Sequence, residues 1–311
     1  MNKTAFLFPG QGSQSVGMMA DMARHSGVVR DTFAGASEVL GYDLWAVTQE
    51  GPAERLNQTE ITQPALLTAG IATWRAWQEI GGFDPDYLAG HSLGEYTALV
   101  ASGSIGFEDA VSLVAERGKL MQAAVPAGSG AMAAVIGLDD DVLVGVCESA
   151  AQGQVVSCAN FNSPGQVVIA GDTDAVDRAC ALADEAGARR AIPLAVSVPS
   201  HCALMHPAAD QLERLMQAIE VRSGDIPVMQ NVDVEVHPGG DEIRSALARQ
   251  LWQPVRWSAG VQSLVDLGVT HFAECGPGKV LTGLNRRISR DVTTASFADH
   301  AALAQTLEDW K

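Results

Sequence analysis

The pentapeptide Gly90-His91-Ser92-Leu93-Gly94 constrains the fold more than any other stretch of this chain. It has the form G-x-S-x-G, and its two flanks differ in kind. Tyr87-Leu88-Ala89 before it is a short apolar run, whereas residues 95–101 after it have helical composition. A strand that turns sharply into a helix is the setting in which this pattern becomes a nucleophile elbow. The glycines let the turn tighten, so that Ser92 projects from the sheet edge while the Leu93 N–H and the helix N-terminus face a developing oxyanion. A glycine-bracketed serine in an ordinary turn is the competing reading, and the strand-turn-helix flanks weigh against it.

Residues 4–8 read as another short buried strand, broken at Pro9-Gly10-Gln11-Gly12-Ser13, a glycine-rich turn expected to lead into a helix. Residues 107–121 carry Phe107, Val111, Val114, Gly118 and Met121 at 3-4 spacing, the mark of one buried helix face. After the linker-like Pro126-Ala127-Gly128-Ser129-Gly130 the rhythm changes. Residues 132–137 are strand-like, 140–151 helical, 155–159 and 166–170 strand-like, 173–186 helical and 190–196 strand-like. That βαββαβ order is the ferredoxin-like unit. Residues 126–197 are therefore expected to form a small subdomain inserted in a larger α/β catalytic domain, hydrolase-like with a parallel-type sheet, made of 1–125 and 198–311. Strand candidates at 227–231, 270–274 and 293–297 return the chain to that larger layer pattern.

Composition narrows the partners. With 20 Lys and Arg against 37 Asp and Glu the formal charge is −17, which opposes generic binding to nucleic acid or an anionic membrane through the global field. No apolar run approaches a membrane span, and residues 1–9 are too short and too soon broken for a signal peptide, so a cytoplasmic chain is expected. The five cysteines, Cys147, Cys158, Cys180, Cys202 and Cys275, are widely spaced without a CxxC pair, and read as reduced core thiols rather than a disulfide or zinc framework.

A serine hydroxyl needs a base at neutral pH, normally a histidine within hydrogen-bond reach. His91 neighbours Ser92, but adjacent residues diverge across a sharp turn, which makes it a structural partner. His201 sits just after the proposed insert, where a loop can return to the main domain, while His206, His237, His271 and His300 read as surface or core histidines. The hydrolase order Ser…Asp/Glu…His is open to Asp172 or Asp184 as the third member. Arg117 lies three residues after Val114 and four before Met121, bordering the apolar helix face. It is either a snorkelling arginine or an inward guanidinium suited to a substrate carboxylate.

Four blocks together carry a wider resemblance: Phe8-Pro9-Gly10-Gln11-Gly12-Ser13-Gln14, Gly90-His91-Ser92-Leu93-Gly94-Glu95-Tyr96, Val198-Pro199-Ser200-His201-Cys202-Ala203-Leu204-Met205 and Glu274-Cys275-Gly276-Pro277-Gly278. In order and spacing, over nearly the whole chain, they resemble the stand-alone bacterial malonyl-CoA:acyl carrier protein transacylases of fatty-acid synthesis. The resemblance implies Ser92 as nucleophile, His201 as its base, the Gln11 and Leu93 amides as oxyanion hole and Arg117 as clamp for the malonyl carboxylate. It also implies that a carbonyl near Gln250, rather than a buried carboxylate, orients the histidine. Val198-Pro199-Ser200 stands where large-synthase acyltransferase domains often carry an aromatic segment, which fits the stand-alone enzymes.

The implied partners are malonyl-CoA and an acyl carrier protein, with neither nucleic acid nor membrane. Lys279, Arg286, Arg287 and Arg290 form the densest basic cluster, a carrier-docking patch or a solvated helix face. Thioester-to-ester exchange calls for no metal or redox cofactor. Rival functions are a serine (thio)esterase on the same elbow, a malonyltransferase of polyketide synthesis or malonate decarboxylase, and a catalytically silent carrier-binding scaffold.

Overall fold

The computed structural model describes residues 2–126, 128–194 and 198–311. In chain order the strands are β1 (Lys3–Phe8), β2 (Tyr87–Gly90), β3 (Gly130–Ile136), β4 (Val156–Ser163), β5 (Gln166–Asp172), β6 (Arg190–Pro193), β7 (Val228–Met229), β8 (Val269–Glu274) and β9 (Thr293–Ser296). They sort into two sheets.

The larger sheet has the order β7-β2-β1-β8-β9 and is parallel at every pairing. Parallel sheets are covered on both faces, and β1 shows why its sequence is a near-continuous apolar run. Phe6 and Phe8 point into the principal core with Trp74, Trp77 and Phe297, while Ala5 and Leu7 point to the other face with Trp257, Val261 and Phe272. Behind the first face the helix Thr59–Glu79 is buried along most of its length. Its alternate neighbour Phe107–Ala124 buries Val111, Val114, Arg117, Gly118 and Met121, the stripe that the 3-4 spacing marks.

The smaller sheet has the order β4-β5-β3-β6 and is antiparallel throughout. Helices Asp140–Ala151 and Thr173–Glu185 complete the βαββαβ unit and enclose a separate core of Val135, Leu143, Cys147, Ile169, Val176 and their neighbours. From its opposite face Met132, Ala159, Val168 and Ala170 meet Cys202, the residue after His201. The architecture is thus an α/β unit with a parallel, hydrolase-like sheet and an inserted ferredoxin-like subdomain. Among the described residues all five cysteines are free, four of them buried, and no helix is long and apolar enough to cross a membrane.

Several elements differ from their sequence pattern. The glycine-rich turn after β1 does not enter a helix directly. Gly12 and Gly17 hold φ of 104° and 86°, the Gly17 N–H bonds to the Thr48 carbonyl, and the first helix opens only at Ala20–His25. The five-residue strand expected at 227–231 shrinks to Val228–Met229, because the Gln230 N–H turns away to the Glu235 carbonyl. β4 runs past 159 to Ser163, since polar Asn160 and Asn162 line a cavity while Phe161 between them packs inward. The strand expected at 190–196 ends at Pro193, and residues 195 and 196 of that expectation, like Ala127 of the linker, lie outside the described residues.

Candidate active site

Open parallel sheets bind ligands at the carboxyl ends of their strands. Here Phe8 of β1 pairs in register with Gly90 of β2, which brings the loop containing Gln11 beside the turn containing Ser92. The turn is as tight as its glycines allow. A Cβ on Gly90 would lie 1.9 Å from the Gly94 carbonyl, and one on Gly94 would lie 2.0 Å from the Phe8 carbonyl oxygen. Ser92 itself has φ 52° and ψ −107°, a strained backbone state typical of an elbow. It stands at the N-terminal end of the helix Leu93–Ala101.

His201 reaches this serine from 109 residues away, its Nε2 lying 2.7 Å from Ser92 Oγ. Its Nδ1 lies 2.6 Å from the Gln250 backbone carbonyl. A carbonyl only accepts, so Nδ1 carries the proton and Nε2 is left as the acceptor for the serine hydroxyl. Burial, reinforced by the Arg117 guanidinium, holds the imidazole pKa down to about 3, so the ring stands neutral with Nε2 unprotonated. Both ring nitrogens are therefore occupied without a carboxylate. The alternative of a triad through Asp172 or Asp184 is corrected: the Asp172 carboxylate accepts the Val155 N–H at 2.7 Å, and Asp184 is exposed on the helix Thr173–Glu185.

Arg117 is 1% exposed, which sets aside the snorkelling alternative. Its guanidinium donates to Gln63 Oε1 at 2.8 Å, to Gln250 Oε1 at 3.1 Å and to Ser92 Oγ at 3.4 Å, and lies over the Tyr96 ring. All these partners are neutral, and among the described residues it has no ion pair. Burial lowers its pKa from the ordinary value. Gln250 contributes twice more: its backbone carbonyl fixes His201, and its Nε2 donates to the Ser92 carbonyl at 2.8 Å.

Gln11 and Leu93 line the same cavity of about 220 Å³ as Ser92, His201 and Arg117. The far wall comes from the small subdomain, through Asn160, Asn162 and Gln166. His91 turns away from the serine, as its place in the turn suggests, and its Nε2 bonds Asn162 Oδ1 at 2.8 Å. Of the basic cluster, Arg287 bonds Gln166 and so joins the helix Val280–Ile288 to β5 at the cavity wall, while Arg286 bonds Thr294. Val280, 49% exposed, stands at the cavity rim on the same helix.

The model of the acyl transferase domain matches residues 5–307, nearly the whole length. The chain belongs to the acyl transferase domain family. This acyl transferase is 58% identical over 308 residues to the malonyl CoA-acyl carrier protein transacylase of Escherichia coli strain K12, covering 99% of this chain and 100% of that one. It is 44% identical over 312 residues to the Bacillus subtilis protein of the same name, covering 100% of this chain and 98% of that one. Among solved structures it is similar to an acyl carrier protein S-malonyltransferase of Vibrio cholerae, with TM-score 0.96, 57% identity and coverage of 98% and 99%. A malonyl-transacylase in complex with a type II PKS acyl-carrier protein gives TM-score 0.98 at 55% identity, covering 99% of each chain.

Four residues at this site escaped the sequence reading. Gln63 and Asn162 hold Arg117 and His91, Asn231 bonds the Ser92 N–H at 2.8 Å, and Glu95 is fully buried beside them. Glu95 gives a signal of its own, an acidic residue in the first turn of an otherwise apolar helix. The carboxamides give none, because a single Gln or Asn on a helix, a strand or a loop carries no local mark of the distant group it will meet.

Proposed function

We propose that this acyl transferase moves a malonyl group from malonyl-CoA to the thiol of an acyl carrier protein, supplying extender units for fatty acid synthesis in the cytoplasm. The observation that carries the reading is a single oxygen, Ser92 Oγ, set 2.7 Å from the neutral His201 Nε2 and 3.4 Å from the buried Arg117 guanidinium. One group removes the serine proton, and the other is a cation placed for a substrate carboxylate.

The steps follow from those positions. His201 Nε2 takes the Ser92 proton as Oγ attacks the thioester carbonyl, and the oxyanion rests on the backbone N–H groups of Gln11 and Leu93. Collapse breaks the C–S bond, and His201 returns its proton to the departing coenzyme A thiolate. Malonyl-Ser92 then meets the carrier thiol, whose proton passes to His201, and the mirror sequence releases malonyl-carrier and restores the serine. Gln250 keeps His201 in the required tautomer, and Arg117 pairs bidentately with the malonyl carboxylate. Thioester, ester and thioester share one oxidation state, so the chain supplies a base, an oxyanion site and orientation alone. Residues 1–125 and 198–311 act as the catalytic unit, and 126–197 as the wall that limits water at the acyl-enzyme.

Intact mass after mixing with malonyl-CoA tests the reading. One malonyl adduct is expected on Ser92, discharged by carrier protein and absent in Ser92→Ala. An adduct on any cysteine, or transfer undiminished in the mutant, refutes it. Rapid loss of the adduct to water without carrier is the result an esterase would give. A polyketide carrier is the second reading, favoured by the likeness to the transacylase solved with such a carrier; comparison of carriers in the discharge step separates the two.

A further inference from the structure

The nucleophile's backbone is gripped from both sides by carboxamides drawn from distant parts of the chain. On one side Gln250 Nε2 donates to the Ser92 carbonyl at 2.8 Å. On the other, the Ser92 N–H donates to Asn231 Oδ1 at 2.8 Å, and Asn231 Nδ2 donates to the Gly90 carbonyl at 2.7 Å. The Asn231 side chain therefore spans the two backbone groups that flank His91. Acceptor meets donor and donor meets acceptor, so the amide orientation is fixed by the partners.

Asn231 is itself held. It is 4% exposed and stands just after β7, the edge strand next to β2. Its N–H donates to Glu95 Oε2 at 2.7 Å, and its carbonyl accepts the Arg256 N–H at 3.0 Å. Glu95 belongs to the helix that Ser92 begins, so the brace closes on the same turn from strand end, loop and helix.

We propose that Asn231 is a positioning residue for acyl transfer, its carboxamide, seated by Glu95, holding Ser92 in the strained positive-φ backbone state from which Oγ meets His201. The proposal rests on the transfer reading for its effect on rate, and on the hydrogen bonds alone for the brace. An L residue leaves φ 52° when nothing holds it there. Without the carboxamide, the Ser92 N–H and the Gly90 carbonyl lose partners that buried groups require, and the turn relaxes toward negative φ to regain them. Oγ then swings off the Nε2 axis, and a displacement on the order of 1 Å costs roughly 10²-fold in rate. Malonyl-CoA binding is spared, because Gln63 and Gln250 still hold Arg117.

The test uses the full chain with Asn231→Ala and Asn231→Asp, read by kcat and KM for malonyl transfer, by thermal melting, and by the rate at which a small fluorophosphonate labels Ser92. The fluorophosphonate carries no carboxylate and no coenzyme A, so it reports the serine alone. A folded Asn231→Ala should lose about 10²-fold in both kcat and labelling rate, with KM nearly unchanged. Asn231→Asp keeps the acceptor for the Ser92 N–H and loses the donor to Gly90, and should lose about tenfold in both, the worth of one hydrogen bond. This variant decides the matter if the alanine protein does not fold. Wild-type labelling in either folded variant, or a loss carried by KM with kcat intact, overturns the brace. Wild-type protein that labels with fluorophosphonate but takes no malonyl group would instead overturn the transfer reading and leave the brace to be judged by labelling.

Discussion

Removing the Arg117 guanidinium should invert the acyl preference. Arg117 is 1% exposed, and the groups it touches, Gln63, Gln250, Ser92 and the Tyr96 ring, are dipoles rather than anions. A malonyl carboxylate brings the counter-charge that this buried cation lacks. In Arg117→Ala that carboxylate enters a desolvated site with no partner, and breaking a buried pair costs about 3–5 kcal/mol. At about 1.4 kcal/mol per tenfold, malonyl transfer should fall by roughly two to four decades in kcat/KM. An acetyl group has no carboxylate to strand. Its transfer loses the long 3.4 Å contact to Ser92 Oγ and the Arg117 bond to Gln250, whose Nε2 still donates to the Ser92 carbonyl, and gains from a more basic His201 once the neighbouring positive charge is gone. Acetyl transfer should therefore change by less than about tenfold. Arg117→Lys should restore part of the malonyl rate, since a point charge cannot copy the planar fork. The assay is carrier acylation from malonyl-CoA and acetyl-CoA in parallel, with thermal melting as control. Equal losses for the two donors in a protein of normal melting temperature refute the clamp.

The two histidines nearest the serine should separate cleanly. His201→Ala should slow acylation by roughly 10²–10⁴-fold, whereas His91→Ala, which loses a bond to Asn162, should slow it much less; the reverse ranking in folded proteins rejects the base assignment. Charge reversal at Arg286, exposed on the cavity-lining helix, and at Arg290, exposed just past its end, should raise KM for carrier and spare acylation by malonyl-CoA, and unchanged carrier kinetics reject the docking patch. Burial pushes the Glu95 carboxyl up to about 8. Its folded pKa exceeds the ordinary carboxylate value, so the stabilisation it gives is complete at acid pH and is lost as pH rises toward and through 8. Glu95→Gln should flatten that decline in melting temperature, and parallel pH profiles for mutant and wild type reject a protonated Glu95.

Much of this arrangement is written locally. The strand, the sharp turn and the helix around Ser92 follow from an apolar run, two glycines whose Cβ atoms have no room, and a helix-forming segment, all within fifteen residues. The βαββαβ order of the small subdomain and the inward stripe that carries Arg117 are equally local, because side-chain period is a property of neighbouring residues. Where polarity and burial part company the pattern misleads. Asn160 and Asn162 look like the end of a strand and instead extend β4, since their side chains line the cavity. What the residues alone left open was pairing over distance. His201 reaches Ser92 across 109 residues and Gln250 reaches it across 158, so the choice between a carbonyl and an aspartate as the histidine's partner waited on the fold. Asn231 gave no local sign, since any loop carries an asparagine and its importance lies in the two backbone groups it joins. The chain by itself determined that a strand, a sharp turn and a helix form around Ser92, because those depend on sterics and period within a few residues. The tertiary structure alone decided what holds Ser92 and His201, because a hydrogen bond needs a partner at about 3 Å and nothing in the spacing of residues along the chain measures that distance.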